Sequence, residues 1–409
     1  DEDGLGFRMG QLQDAHGAQS LPLAILLLAQ NRWRRCEPVA NGAGQVAGHP
    51  YSISIQGGIV QGSDKMGCVT GKNALGWIVL VSGLLLSGLS LASELPSDEA
   101  IRSALKQAHE RYKGLDDGAN ADYIPALAKV DSDIFGIVLV TVDGRVFSVG
   151  DAQSEVSIQS ISKVFTMALV TEQKGVDALP KSVGVDATGQ VFNSIHAIEQ
   201  HKGHEMNPLV NAGAITTTSM VEGKGYNDIW NRILGFYSDF AGRELTVLED
   251  IYRSEAETNQ RNQAIAHLMY AYGHIEGDQL QATDIYTRQC SVGVNAKDLG
   301  IMAATLANAG VNPVTGKALV DPENMPEILA VMATAGLYDD AGKWLYRTGL
   351  PAKSGVGGGI VAVSPGKFGI AAISPPLDEV GNSVRSQKAI ADISAALGGN
   401  PYQVMPYKK

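Results

Sequence analysis

A hydroxyl and an amine lie three residues apart in the segment Ser160-Ile161-Ser162-Lys163. A serine hydroxyl becomes an effective nucleophile only when a base lies within hydrogen-bond reach. A lysine amine can be that base if burial or a neighbouring group lowers its pKa. The spacing therefore permits acyl transfer to a serine nucleophile, although a short match of this kind is more often an exposed face of a helix.

Hydrophobic periodicity predicts the element that carries this pair. Apolar residues follow Ser160 at the i, i+3, i+4 spacing of a helix stripe, at Ile161, Val164, Phe165, Ala168 and Leu169. The pattern predicts a helix that begins at Ser160. Ser160 and Lys163 lie off the stripe, as neighbours one helical turn apart.

Strands are predicted on both sides of a helical middle region. Residues 135–142 and 146–149 flank Asp143-Gly144, a strong hairpin signal, and residues 360–363 and 368–373 flank a second turn. Between them, roughly from 158 to 336, the pattern is mostly helical. We predict an α+β fold in which N- and C-terminal strands form one antiparallel sheet, with helices packed on it.

Composition excludes some classes of function. The chain has 409 residues, is 44% hydrophobic and carries a net charge of −11, which argues against nucleic acid as a partner. Its three cysteines, Cys36, Cys68 and Cys290, are far apart, so a disulfide framework is not expected. We expect Cys290 to be a small buried residue rather than a nucleophile.

The N-terminal region differs from the rest. We expect residues 1–65 to be poorly ordered or to lie upstream of the natural start, because they show little sustained periodicity. Residues 66–92 carry a lysine, a long apolar run and a final Ser90-Leu91-Ala92, which is typical of a secretory signal peptide. An uncleaved membrane anchor stays open, since about 20 apolar residues span a bilayer. The folded domain is expected over residues 93–409.

Several motifs in order resemble a known family. The Ser-x-x-Lys pair followed by Lys353-Ser354-Gly355 is similar to the serine β-lactamases and penicillin-binding proteins. Four segments resemble the serine-dependent glutaminases more narrowly, and that family has the β-lactamase-like fold. The segments are ADYIP at 121–125, QSISK at 159–163, NPLVNAGAI at 207–215 and KSGVGGG at 353–359. Residues 93–409 would then be a glutaminase catalytic domain.

The resemblance implies a role for each matching position. Ser160 would be the nucleophile and Lys163 its base, while Tyr338 would relay the proton to the departing ammonia. The backbone N–H groups of Ser160 and Val356 would form the oxyanion hole. Tyr123 would line the pocket. The reaction would hydrolyse L-glutamine to L-glutamate and ammonia through a seryl acyl-enzyme, without a cofactor.

The resemblance also assigns the residues that would bind the amino-acid end of glutamine, namely Asn211, Glu255, Asn262 and Tyr286. A buried glutamate suits the substrate ammonium, and asparagine and tyrosine donors suit its carboxylate. Taken singly, these positions are ordinary packing tyrosines, helix caps, turn residues or a first-turn carboxylate.

The sequence leaves two alternative functions open. A β-lactamase or D,D-peptidase would keep the fold and change the substrate, and a binding protein would keep the pocket without chemistry. His201, His204 and Glu205 are expected to form a polar loop rather than a metal site, because they lack the spacing of a zinc helix. The family implies a homo-oligomer, a dimer or tetramer. It also implies a cytoplasmic location, whereas a signal peptide over 66–92 would imply a periplasmic or secreted one.

Overall fold

The structure is a computed structural model that describes residues 95–204, 206–404 and 406, together with two short strands farther upstream. The hydrophobic segment at 66–92 lies outside the described residues, as does most of the region 1–65. Among the helices of the described part, none is long and apolar enough to cross a membrane.

Internal contacts divide the chain into two units, Asp1–Gly88 and Leu89–Lys409. In the first unit, Ser54–Ile55 pairs antiparallel with Gly58–Ile59. The second unit contains the other described elements and all the predicted site residues.

Among the described residues of the second unit, seven short strands are found. In chain order they are β1 Gly136–Thr141, β2 Val146–Gly150, β3 Val156–Ser157, β4 Gly293–Val294, β5 Ala352–Ser354, β6 Gly359–Ser364 and β7 Phe368–Ile373. Five of them form an antiparallel sheet in the order β2-β1-β7-β6-β5, and β3 pairs with β4. Because β1 lies beside β7, with Gly136 opposite Ile373, the predicted sheet of N- and C-terminal strands is confirmed.

The region between the strands is helical, as predicted. The helices, in chain order, are α1 Asp98–Tyr112, α2 Ser162–Lys174, α3 Ala178–Ser182, α4 Ile195–His201, α5 Asn211–Ser219, α6 Tyr226–Ala241, α7 Glu249–Thr258, α8 Gln260–Ala271, α9 Gln279–Cys290, α10 Ala296–Ala307, α11 Met325–Ala335, α12 Ala341–Thr348 and α13 Val384–Ala396. Their bounds follow local chemistry, as at α1, where the Ser97 hydroxyl accepts a hydrogen bond from the N–H of Ala100.

Helices cover both faces of the sheet. Successive side chains of a strand point to opposite faces. Ile137 and Leu139 of β1 therefore pack with α1 and α13, whereas Val138 and Val140 enter the larger core that contains α10 and the helical middle. The result is a mixed α+β domain, in agreement with the predicted fold class.

Helix α2 differs from the prediction in two respects. Residues 159–161 form a 3₁₀ turn, so the α-helix begins at Ser162 rather than at Ser160. Every residue from Ser162 to Thr171 is buried, because α2 packs against α5, α6 and α11 and has no solvent face along this length. The Ser-x-x-Lys segment is thus part of the core, which excludes the interpretation as an exposed helix face.

Candidate active site

Ser160 lies in a tight turn between β3 and α2. The residue before it, Gln159, has a φ of +48°, a conformation that costs energy for a residue with a side chain and that is often found at functional sites. The pairing of Val156 with Val294 fixes the turn to the chain just after α9. Ser160 is buried, with 8% of its surface exposed.

Lys163, one turn along α2, is buried with 1% of its surface exposed. Its Nζ donates hydrogen bonds to Oδ1 of Asn211 at 2.7 Å and to the carbonyl of Leu209 at 3.3 Å. Within the described part of the chain, its hydrogen bonds go to these oxygens rather than to Ser160. Burial lowers the pKa of Lys163 from 10.5 to about 8, so the neutral amine is accessible close to physiological pH.

Three further predicted residues join Lys163 in one hydrogen-bonded chain. The Tyr286 hydroxyl donates to Oδ1 of Asn211 at 3.2 Å, and Nδ2 of Asn211 donates to Oδ1 of Asn262 at 2.9 Å. Burial raises the pKa of Tyr286 well above 10, so the phenol remains a donor. The structure therefore brings together side chains from α2, α5, α8 and α9.

Glu255 lies near this chain of residues, on α7. Nε2 of Gln159 donates to its Oε2 at 3.4 Å. Burial raises the pKa of Glu255 to about 7, while the hydrogen bond from Gln159 and the charge of Lys163 act in the opposite direction. The interpretation of Glu255 as a first-turn carboxylate is wrong, because α7 begins six residues earlier at Glu249. A cation bound beside this buried carboxylate would stabilise its charged form.

Tyr338 begins a 3₁₀ turn after α11 and has a φ of +53°. Its hydroxyl donates to the carbonyl of Ser354 at 3.4 Å, and its ring lies 4.9 Å from that of Phe192. Burial raises the pKa of Tyr338 to about 12, and hydrogen bonding with Ser160 and Ser354 opposes that rise. The phenol is thus placed beside the Ser160 hydroxyl.

Lys353 fixes the surroundings of Tyr338, a role that the sequence did not suggest although the Lys-Ser-Gly motif was visible. The side chain is fully buried, and its Nζ donates to the carbonyls of Gly336 at 2.9 Å and Ser354 at 2.7 Å. The same Nζ lies 4.1 Å from the centre of the Tyr338 ring. It therefore joins β5 to the segment that leads into Tyr338.

Two glycines let the turn after β5 approach the Ser160 turn. A Cβ on Gly355 would lie 2.8 Å from the carbonyl oxygen of Ile158, and one on Gly357 would lie 2.4 Å from that of Ser157. Val356 lies between these glycines. Neither its N–H nor that of Ser160 donates a hydrogen bond to another described residue. Both predicted oxyanion donors are thus available.

A surface cleft of about 890 Å³ opens beside these residues and is lined in part by Tyr123, Phe192 and Val356. Tyr123 is 54% exposed, unlike the buried Tyr286 and Tyr338. Phe192, which no sequence pattern singled out, connects the cleft to Tyr338 through its ring contact.

The remaining predictions concern metals and thiols. In the part of the chain that the structure describes, no group of three or more His, Cys, Asp or Glu side chains could hold a metal ion. His201 ends α4 rather than lying in a loop, His204 follows it, and Glu205 lies outside the described residues. Cys290 is buried, as expected, and burial raises its pKa to about 12, so it remains a thiol.

Comparison with known sequences gives a consistent result. The model of the glutaminase family matches residues 118–402. The chain is 52% identical over 305 residues to a glutaminase of Colwellia psychrerythraea, a match that covers 75% of this chain and 98% of that protein. It is 54% identical over 301 residues to a glutaminase of Mycobacterium ulcerans, covering 74% and 94% of the two chains.

Solved structures agree with the sequences. A probable glutaminase, ybaS, superposes with a TM-score of 0.75 at 46% identity, over 76% of this chain and all of that one (100%). A probable glutaminase from Bacillus subtilis, complexed with 6-diazo-5-oxo-L-norleucine, gives a TM-score of 0.66 at 26% identity, over 76% of this chain and 100% of that one. With the fold, the motifs and the relatives in agreement, the chain belongs to the glutaminase family.

Proposed function

We propose that the protein hydrolyses L-glutamine through a covalent glutamyl-enzyme formed on Ser160. Membership of the glutaminase family makes the protein an amidohydrolase acting on glutamine. The observation that most supports the mechanism is the buried Lys163 amine, one turn from Ser160, with its pKa lowered to about 8. A neutral amine at this position can accept the proton of the serine hydroxyl.

In the first half-reaction, Oγ of Ser160 attacks the carboxamide carbon while Lys163 takes its proton. The N–H groups of Ser160 and Val356 receive the oxyanion, and each such donor typically contributes about 3 kcal/mol to the transition state. The C–N bond then breaks. The proton held by Lys163 passes through the Tyr338 hydroxyl to the departing nitrogen, which leaves as ammonia.

In the second half-reaction, water attacks the glutamyl ester. Its proton is taken by the same lysine and tyrosine, and it returns to Oγ of Ser160 as glutamate leaves. The enzyme is thus restored, and the net change is the addition of one water and the release of one ammonia.

Substrate recognition is proposed to use the polar residues around Lys163. Glu255 receives the α-ammonium of glutamine, and its pKa of about 7 in the free protein allows the bound cation to hold it in the charged form. Asn211, Asn262 and Tyr286 supply donors for the α-carboxylate. Tyr123, which lines the cleft, is proposed to line the substrate pocket.

The decisive experiment is ammonia release from glutamine by the full chain and by Ser160→Ala, with asparagine and nitrocefin in parallel. We expect glutamine turnover that Ser160→Ala lowers by roughly four orders of magnitude. Nitrocefin turnover without ammonia release would instead indicate a β-lactamase-like hydrolase, and unchanged ammonia release in Ser160→Ala would exclude Ser160 as the nucleophile.

A covalent probe tests the same assignment independently of turnover. The compound 6-diazo-5-oxo-L-norleucine keeps the amino-acid end of glutamine and carries a reactive carbon in place of the amide. We expect mass spectrometry to place the label on the peptide that contains Ser160, and to find none on Ser160→Ala. A label on Cys290 or Lys163 alone would contradict the mechanism.

We further propose that the protein forms a homo-oligomer, as its resemblance to the family implies. Light scattering coupled to size-exclusion chromatography tests this directly. A single species with the mass of one chain at micromolar concentration would contradict it.

A further inference from the structure

A second polar cluster lies behind the site, where α6 and α7 pack on α9. Asp284 of α9 accepts two hydrogen bonds, from the Tyr252 hydroxyl to Oδ1 at 2.6 Å and from the Tyr226 hydroxyl to Oδ2 at 2.5 Å. Burial raises the pKa of both phenols, so they remain protonated donors. One carboxylate therefore ties two helices to a third.

The cluster is placed around the residues proposed to bind glutamine. Tyr252 precedes Glu255 by about one turn of α7. Just after α7, Nδ2 of Asn259 donates to Oγ1 of Thr287 at 3.1 Å. Helix α7 is thus fixed to α9 on both sides of Glu255, and the two anchoring residues of α9, Asp284 and Thr287, flank Tyr286.

The Glu255 side chain itself is weakly held. Within the described residues, its carboxylate receives a single long hydrogen bond, at 3.4 Å from Gln159. Its position relative to Tyr286 therefore depends on how α7 is held against α9. A shift of one helix against the other would change the spacing between the groups that bind the two ends of the amino-acid head.

We propose that Asp284, acting through Tyr252, is a positioning residue for substrate recognition that holds Glu255 at the spacing from Tyr286 that glutamine requires. The inference rests on the proposed role of Glu255 and adds the element that sets its position. Because positioning of the head group affects substrate and transition state alike, its loss raises KM more than it lowers kcat.

The two tyrosines provide a matched pair for the test. Tyr252→Phe and Tyr226→Phe each remove one hydroxyl from the same carboxylate, but only Tyr252 lies on the helix of Glu255. We expect Tyr252→Phe to raise KM for glutamine roughly threefold to tenfold, the effect of one lost hydrogen bond, with kcat within about twofold. Tyr226→Phe should lower the melting temperature about as much as Tyr252→Phe does, because each variant loses one hydrogen bond to Asp284. It should leave KM and kcat nearly unchanged. Equal KM changes in the two variants, or an unchanged KM in Tyr252→Phe, would overturn the inference.

A double-mutant cycle separates this inference from the proposed function. In the Ser160→Ala background, calorimetry gives the Kd of glutamine for Glu255→Gln, Tyr252→Phe and the combination. If Tyr252 acts through Glu255, Tyr252→Phe weakens binding only while Glu255 is present. Additive losses of glutamine affinity in the double variant would contradict the positioning role of Tyr252, but not the proposed role of Glu255. An unchanged Kd in Glu255→Gln would contradict both the proposed role of Glu255 and the inference built on it.

Discussion

Nζ of Lys163 lies 2.7 Å from Oδ1 of Asn211, and the hydroxyl of Tyr286 donates to the same oxygen. A single amide oxygen therefore joins the proposed base on α2 to the proposed carboxylate-binding residues on α5 and α9. We therefore propose that substrate binding at Asn211 and Tyr286 changes the hydrogen bonding of the base, so that binding and proton transfer are coupled at this atom.

This coupling predicts different outcomes for the two asparagines. Asn211→Ala removes both an acceptor for Lys163 and a donor for substrate, so we expect kcat to fall and KM to rise, with kcat/KM lower by on the order of a hundredfold. Asn262→Ala removes a residue that contacts Asn211 but not Lys163, and it should raise KM while changing kcat little. Steady-state ammonia release measures both. A pure KM effect in Asn211→Ala would contradict the coupling.

The activity is expected to rise with pH on its acidic side. Lys163 must be neutral to act as a base, and its pKa is lowered to about 8. Glu255 must be charged to bind the ammonium, and its pKa is raised to about 7. Both groups therefore have to lose a proton, so kcat/KM should increase through pH 7 and reach half of its maximum near pH 8.

A variant checks which group controls that limb. The charge of Glu255 raises the pKa of Lys163, so Glu255→Gln should move the acidic limb of kcat/KM to lower pH and reduce its steepness. A limb that stays in place in Glu255→Gln would show that the two groups do not interact.

Tyr338→Phe isolates the proton relay. The variant keeps the ring contacts with Phe192 and Lys353 and loses a hydroxyl whose hydrogen bond to Ser354 is long, at 3.4 Å. We expect kcat to fall about a hundredfold to a thousandfold, within the usual range for general acid–base catalysis, with a nearly unchanged melting temperature. L-γ-Glutamyl-p-nitroanilide, whose leaving group needs less protonation, should be affected much less. An equal loss with both substrates would argue against the relay.

The N-terminal region leads to a prediction about processing. We propose that residues 66–92 act as a signal peptide and that residues 93–409 form the catalytic domain. Expression of the full chain in a bacterial host, followed by N-terminal sequencing of the exported protein, should give a first residue close to Ser93. A chain that keeps Met66 and fractionates with the membrane would instead indicate an anchor.

Much of the fold could be predicted from the sequence because it depends on local patterns. The hairpin around Asp143-Gly144 and the strand at 368–373 have clear alternation or turn signals, and each lies where expected. The burial of α2 could not be predicted from the sequence, because the face opposite its apolar stripe carries polar side chains. Such a face is typical of a helix that is exposed to solvent on one side. That face is covered by α5 and α6, which come much later in the chain.

The site shows the same division. Ser160 and Lys163 are visible as a pair because their spacing is local. The contacts that give the remaining residues a function, such as Lys163 with Asn211 or Lys353 with Tyr338, join distant segments and leave no periodic trace. For these distant residues, the positions are indicated by resemblance to the motifs of the family rather than by any local pattern. The lowered pKa of Lys163 depends on burial by the whole helical layer, so no single motif contains it.

The pairing of β1 with β7 has a consequence for how the protein is made. These strands come from opposite ends of the domain, so the central sheet depends on contacts of very high sequence separation, which fold slowly. During synthesis, β1 and β2 leave the ribosome long before β7 and have an unpaired edge until it arrives. The turn that presents Val356 to Ser160 is held by β5 and β6, on the far side of β7. Catalytic competence should therefore arise only after translation of the C-terminal strands, which would keep the hydrolase inactive while its chain is still nascent.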